Sequence, residues 1–518
     1  MILDDPRVRP AAARIGGRAT LHGLLRQAAQ RHPDAVALID PTNRESFTDG
    51  APRRLAYAEA DRMVSAIAGR LIRLGLRTDA IVGLQIANTV ESVLTLLGVL
   101  RAGLIAMPLP LLWRRAEAVA ALSHVAVNAL VVSGRIGTAD HYDLAMQIGA
   151  EIFPVRYVCG YGGQPPDGVV SFDDLFAADT IDPAPSLEDD RAGAPGPAAH
   201  LAVITWDVGA DGPIPVARSH AELIAGGLAV ALESAMGQDP VLLSTLTMSS
   251  FASLAVAVVP WLVRGGTLVL HQPFDTEVFL DQIKASPCDT VILPGPLATQ
   301  LAEAGSLMAS EVNVIGVWRA PERMARALPW PGPKARMVDV QVFGEIGLLA
   351  ACRAPEGTPA EIAFGAIRAP RNPEGNVVAL EIAQTPSRTV ALRGPMVPRM
   401  AYPPGAERSG VPHLKIDPNG FVDTGYACRR DSKTMVLTAS PPGIVSIGGY
   451  RFVVRELHDL VSQVETGSGT LAVLPDVHAG HRLAGIAADH DTVEGTLARL
   501  GANPLLVGAF NKHRRPAA

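Results

Sequence analysis

Apolar positions recur along the chain in two alternating rhythms: short continuous runs, and spacings of three and four residues. Met63, Val64, Ile67, Leu71 and Leu74 share one face of a helix, and Gly75 follows where a left-handed C-terminal residue is wanted. Residues 81–86 form a buried-strand pattern. Asn88 with Glu91 three positions on has the form of a capping box, opening a helix through Arg101 that stops at Gly103. The alternation continues with a run at 104–107, a helix near 117–124 and a run at 129–132. Strand-like runs at 201–205, 267–270, 290–293 and 312–317 repeat it. Strands alternating with helices predict an α/β fold of parallel sheets covered on both faces.

Past Glu361 the text becomes strand-rich, with runs at 377–382 and 389–392, which predicts a small β subdomain over about 361–437. The stretch T-A-S-P-P-G at 438–443 marks a linker. These features divide the chain into a large N-terminal domain (1–438), a hinge (439–443) and a shortened α/β C-terminal domain (444–518). Polar, Pro/Gly-rich segments at 163–168 and 182–197 read as surface loops. Residues 241–263 carry no charge and are long enough to suggest a membrane span. Their serines, threonines and Pro260 favour a buried strand followed by a core helix instead.

Composition narrows the function classes. An apolar fraction of 48% over 518 residues supports sizeable cores. A net charge of -6 offers no basic field for nucleic acid or an anionic membrane. Residues 1–20 lack the apolar core of a secretory signal, so a cytoplasmic home is expected. Cys159, Cys288, Cys352 and Cys428 are too widely separated for a CxxC pair or a disulfide framework.

Several motifs occur in order: Leu-His-Gly-Leu-Leu after Thr20, His-Pro-Asp-Ala-Val-Ala-Leu-Ile-Asp after Arg31, Asn88-Thr-Val-Glu-Ser, and Leu97-Gly-Val-Leu-Arg-Ala-Gly. Arg393-Gly-Pro-Met, Gly420-Phe-Val-Asp-Thr-Gly and Gly448-Gly-Tyr-Arg-Phe follow. Together they resemble the adenylate-forming (AMP-binding) superfamily, in its acyl-CoA synthetase or acid-CoA ligase form, over nearly the whole chain. The resemblance implies ATP, magnesium and CoA as cofactors. It also implies a carboxylic acid that is activated on the α-phosphate and passed to a thiol, with a C-terminal domain that rotates between the two steps.

The resemblance also implies where the chemistry should sit, and there the text departs from the family. A Ser/Thr/Gly-rich loop ending in Pro-Lys-Gly should hold the phosphates, since glycine N–H groups and a lysine suit an anion. Here it reads Trp206-Asp-Val-Gly-Ala-Asp-Gly-Pro-Ile-Pro-Val, with Ile214 at the lysine position and Asp207 and Asp211 where phosphate oxygens would lie. Gly209 and Gly212 can still make a turn, and Ser219 with Glu222 fits a capping box. In the Tyr-Gly-x-Thr-Glu segment Phe343, Gly344 and Glu345 remain, with Glu345 the candidate catalytic and magnesium ligand and Phe343 an adenine platform only through a shifted alignment. Trp318 and Arg319 replace small residues beside the nucleotide pocket, and Thr424-Gly425-Tyr426 stands for Thr-Gly-Asp. The hinge lacks its arginine and aspartate, and Lys512 is the sole lysine near the family's terminal Gly-Lys.

Asp476, His478 and His481 read as a surface loop in preference to a metal site. Cys428 beside Arg429 and Arg430 is a weak nucleophile candidate. Three functions fit these residues. The first is a degenerate ligase that binds an acyl group, an acyl-CoA or a protein partner. The second is an active ligase using Arg218 or Arg319 for phosphate and Glu345 for magnesium. The third is an acyl transfer that starts from a ready-made thioester. Replacing Ile214 by Lys and Tyr426 by Asp is expected to restore some nucleotide affinity if the pocket is otherwise intact.

Overall fold

A computed structural model describes residues 18–176, 196–307, 311–326, 329–330, 335–369, 378–464, 469–476 and 478–511. Lys512 and most of the expected 182–197 loop lie outside them. Two mixed sheets carry the α/β part. One has seven strands in the order Gly212–Ser219, Leu201–Gly209, Ile105–Pro108, Ile81–Gln85, Val127–Ser133, Tyr157–Tyr161 and Val169–Ser171. All its pairings are parallel except the first, an antiparallel hairpin. The other has eight strands, with Ile39, Leu268, Leu242, Ile292, Ile315 and Val338 on its six central strands and an antiparallel strand at each edge.

The helix Val90–Arg101 is buried along its whole length, as its apolar sequence requires. Its start differs from the expected capping box. The N-cap is Thr89, and Glu91 turns inward to accept from Arg44 at 2.9 Å instead of folding back on Asn88. Asn88 is itself drawn away, its backbone N–H donating to Gln272 Oε1 at 2.6 Å and its Nδ2 to His271 O at 3.1 Å. A buried arginine with two carboxylates, Asp40 and Glu91, outweighs a local cap worth about 1 kcal/mol. The capping box at Ser219 and Glu222 does form. Residues 241–263 resolve as the strand Val241–Ser244 and a buried helical run containing a π-turn at Leu254–Val258. That run packs closely on Gly226 and Gly227 of the helix His220–Glu233, where an added methyl group would overlap Phe251 and Val259. Among the described residues no helix is long and apolar enough to cross a membrane.

Residues 362–439 supply a six-stranded antiparallel sheet. Residues 444–486 supply a four-stranded antiparallel sheet with its own core around Phe452, Leu457, Leu497 and Phe510. This last unit touches the rest through a defined seam. Ala116 N–H donates to Gly501 O at 3.1 Å, and Glu117 accepts from Arg114 N–H at 3.0 Å and Asn503 N–H at 2.9 Å.

Burial at that seam raises the Glu117 carboxyl from 4.5 to about 7, against the pull of those N–H donors. The folded state therefore holds the proton more tightly than the unfolded chain, and this contribution to stability is present below about pH 4.5 and lost as pH rises through about 7. Thermal melts of wild type and Glu117→Gln should show their stability difference changing by about 3 kcal/mol across that window, in favour of the variant at the alkaline end. A constant difference would remove Glu117 as the titrating group.

Candidate ligand cleft

The carboxyl ends of the parallel strands converge on a cleft of about 880 Å³, the place where open α/β sheets leave a crevice. Trp206 and Asp207 come from the strand Leu201–Gly209, Trp318 ends Asn313–Trp318, and Gly344 and Glu345 follow Met337–Phe343. Residues Gly448 to Phe452 and the turn at His478 to Gly480 cover it from the four-stranded sheet. Four of the residues expected at a nucleotide site line this cleft: Trp318, Arg319, Gly344 and Glu345. Gly209, Gly212, Arg218, Phe343, Thr424 and Tyr426 do not.

Each of those six has a local reason for its place. The strands Leu201–Gly209 and Gly212–Ser219 pair to their ends, with Gly209 opposite Gly212, so the segment expected as a phosphate loop is a two-residue hairpin around Ala210 and Asp211. Ile214 faces Asp207 in this ladder and its side chain covers Gly209. Arg218 is fully buried, and its Nε and Nη2 donate to backbone carbonyls: Nε to Met396 O at 3.3 Å, and Nη2 to Ile346 O at 3.0 Å and to Glu345 O. It also lies over the Phe251 ring at 3.9 Å. Burial lowers its pKa to about 10 despite nearby Glu345, Glu222 and Asp207. Phe343 belongs to the core and meets Tyr426 edge to face at 5.6 Å. Thr424 donates to Val390 O at 2.8 Å, within the six-stranded sheet.

Asp207 is the unexpected centre of the cleft floor. Its Oδ2 accepts from Glu345 N–H at 2.9 Å, its Oδ1 accepts from Val208 N–H at 2.7 Å, and Arg451 forms an ion pair with Oδ1. Gly344 makes this possible. It sits at φ +58°, and a Cβ there would overlap both the Asp207 carboxylate and the Arg451 guanidinium. Burial works against the Arg451 charge, yet Asp207, Tyr426, Glu345 and Glu322 together push its pKa above the usual arginine value. Two carboxylates expected to repel a phosphate thus resolve into one aspartate neutralised from within the chain and one, Asp211, at the hairpin tip.

Glu345 accepts from Phe251 N–H at 2.7 Å at the start of the Phe251 helical run. Burial raises its pKa, while Arg319, the Phe251 N–H and Arg218 lower it. Arg319 gives its Nη2 to Ser250 Oγ and, at 3.2 Å, to Ser253 Oγ. Trp113 and Trp206 stand on another side of the cleft with ring centroids 5.7 Å apart. Asp476 is occupied in its own turn, accepting from His478 and Ala479 N–H, and among the described residues no group of three or more His, Cys, Asp or Glu is placed to hold a metal. Burial raises the Cys428 thiol, the opposite of an activated nucleophile.

Sequence reasoning missed Arg451, although its motif was read, and missed Asp339 and Arg353 behind Trp318. The available signal was a lone aspartate in the otherwise apolar strand L-A-V-I-T-W-D-V-G, which demands a buried partner.

The chain belongs to the AMP-binding enzyme family, whose model matches residues 25–329. It is 26% identical over 506 residues to a 2-hydroxy-7-methoxy-5-methyl-1-naphthoate–CoA ligase of Streptomyces carzinostaticus, covering 93% of this chain and 86% of that protein. It is 25% identical to a sulfoacetate–CoA ligase of Cupriavidus necator over half of this chain and 46% of that one. In fold it is similar to an amide bond synthetase of Marinactinospora thermotolerans, with a TM-score of 0.70, 18% identity and 94% of each chain covered.

Proposed function

We propose that this AMP-binding family member is a pseudo-ligase: it keeps the ligase fold and an acyl or acyl-CoA cleft but does not adenylate its ligand with ATP and magnesium. The Asp207–Arg451 pair carries this reading. Where the family resemblance calls for a glycine-rich loop and a lysine, this chain has a closed hairpin and a carboxylate already satisfied by an arginine of the C-terminal unit.

The remaining residues fit ATP poorly. Arg218 is buried away from the cleft with its Nη2 on carbonyls, Tyr426 is a core residue that donates to Arg319 O at 3.4 Å, and Phe343 is sealed in the core. Glu345 retains a carboxylate, but a lone buried acid beside two arginines is not a magnesium cage. Preorganised groups of this kind each carry roughly 10²–10³ in rate, so the loss of several together leaves little adenylation. What stays intact is a cleft whose lining includes Trp113, Trp206, Trp318 and Arg319, suited to a carboxylate or its thioester.

The test is carboxylate-dependent ATP–pyrophosphate exchange, with ATP–magnesium titrated by calorimetry. No exchange and no ATP binding are expected, alongside measurable binding of acyl ligands. Exchange with any carboxylic acid overturns the proposal.

A further inference from the structure

Arg319 is a half-buried cation of the cleft wall, and contacts along its backbone and side chain fix its place. The residue before it is anchored: Trp318 Nε1–H donates to Asp339 Oδ1 at 2.8 Å, and Arg353 Nε holds Asp339 Oδ2 at 2.8 Å. The Arg319 carbonyl accepts from the Tyr426 hydroxyl at 3.4 Å. At the far end of the side chain Nη2 donates to Ser250 Oγ and, at 3.2 Å, to Ser253 Oγ, the hydroxyls of two buried serines. A Cβ at Gly449 would stand 3.1 Å from Arg319 Cδ, so glycine at that position leaves the stem its course.

What this arginine lacks is a counter-charge. Three carboxylates line the cleft: Asp207, Glu303 and Glu345. Asp207 is paired with Arg451, Glu345 accepts from Phe251 N–H at 2.7 Å and feels Arg319 only through space, and Glu303 is exposed. Among the described residues Arg319 forms no ion pair, and both its side-chain hydrogen bonds run from Nη2 to neutral oxygens. Nη1 and Nε keep their N–H groups, and neither atom is sealed from solvent.

We infer that Arg319 is the specificity-determining anchor of the cleft, binding the ligand as an ionised free acid in preference to its thioester or amide. The inference rests on the acyl-cleft reading above and narrows it to one form of the ligand. A hydrogen bond from a guanidinium to a carboxylate is roughly twice as strong as one between neutral groups, and a half-buried pair is screened less than one in open water. A thioester or amide carbonyl brings no charge, so the guanidinium would stay without a counter-ion beside it.

Calorimetric titration of the full chain with hexanoate and benzoate, each as the acid, the primary amide and the CoA thioester, tests this. Wild type should bind the better acid at least about tenfold more tightly than its amide or its thioester. Arg319→Gln should lower the acid affinity by about ten- to a hundredfold and leave the amide affinity unchanged, and Arg319→Lys, which keeps the charge, should recover part of the loss. Thermal melts of both variants establish that they fold. An acid that binds no more tightly than its amide, or a thioester that binds more tightly than its acid, overturns the inference. So does a folded Arg319→Gln that keeps its acid affinity, or that loses acid and amide affinity equally. Binding of no probe in any form instead overturns the acyl-cleft reading itself.

Discussion

Replacing Arg451 by alanine should lower the stability of the folded chain by about 3–5 kcal/mol, the usual result of removing one partner of a buried ion pair. The Arg451 side chain is 12% exposed and that of Asp207 5%, so the aspartate left behind has little access to water. Its two N–H donors, from Val208 and Glu345, offset only part of the loss. Denaturant melts followed by near-ultraviolet circular dichroism check the value, and limited proteolysis shows whether the unit after residue 443 releases first. Asp207→Ala should cost a similar amount. The double variant should cost much less than the sum, because removing both charges strands neither. Additive single effects would mean that the pair contributes nothing as a pair. The hydrophobic swap Asp207→Leu with Arg451→Met should recover only part of the stability, since Glu345 N–H then loses its acceptor.

The pair also shows what was legible in the sequence. Periodicity located the parallel-sheet strands well, because a strand buried on both faces is an apolar run and needs no distant information. The Ser219 cap was legible for the same reason, its partner being three residues away. Asn88 has an equally good local signal, yet distant Gln272, His271 and Arg44 claim Asn88 and Glu91. The family motifs pointed to the cleft through Trp318, Arg319, Gly344 and Glu345. The actual partner of Asp207 lies 244 positions further along, and neither spacing nor propensity can join residues so far apart. Arg218 misled in the opposite way. An arginine next to a phosphate-loop position suggests anion binding, but the alternation of the hairpin strand turns it inward, where carbonyls of residues 345, 346 and 396 take its charge.

The same long-range packing decides the restoration experiment. Ile214→Lys with Tyr426→Asp returns the two side chains that the family resemblance asks for, and yet it should produce an unstable protein with no gain in nucleotide affinity. Tyr426 is 1% exposed and packs edge to face on Phe343. Exchanging a buried aromatic residue for a smaller acid removes that packing and leaves a cavity, a loss of about 3–5 kcal/mol for the truncation alone. The new carboxylate would join Asp207 and Glu322, with Arg451 already engaged by Asp207 and Arg319 by Ser250 and Ser253. A lysine at 214 stands opposite Asp207 in the hairpin ladder and gives up the apolar cover over Gly209. Its ammonium would compete with Arg451 for that aspartate and would not reach into an open loop. Thermal melting beside ATP titration separates the outcomes: a large fall in melting temperature without ATP binding is expected. A folded double variant that binds ATP–magnesium would show that the hairpin opens, and that the closed Asp207–Arg451 floor is one of two states of the cleft.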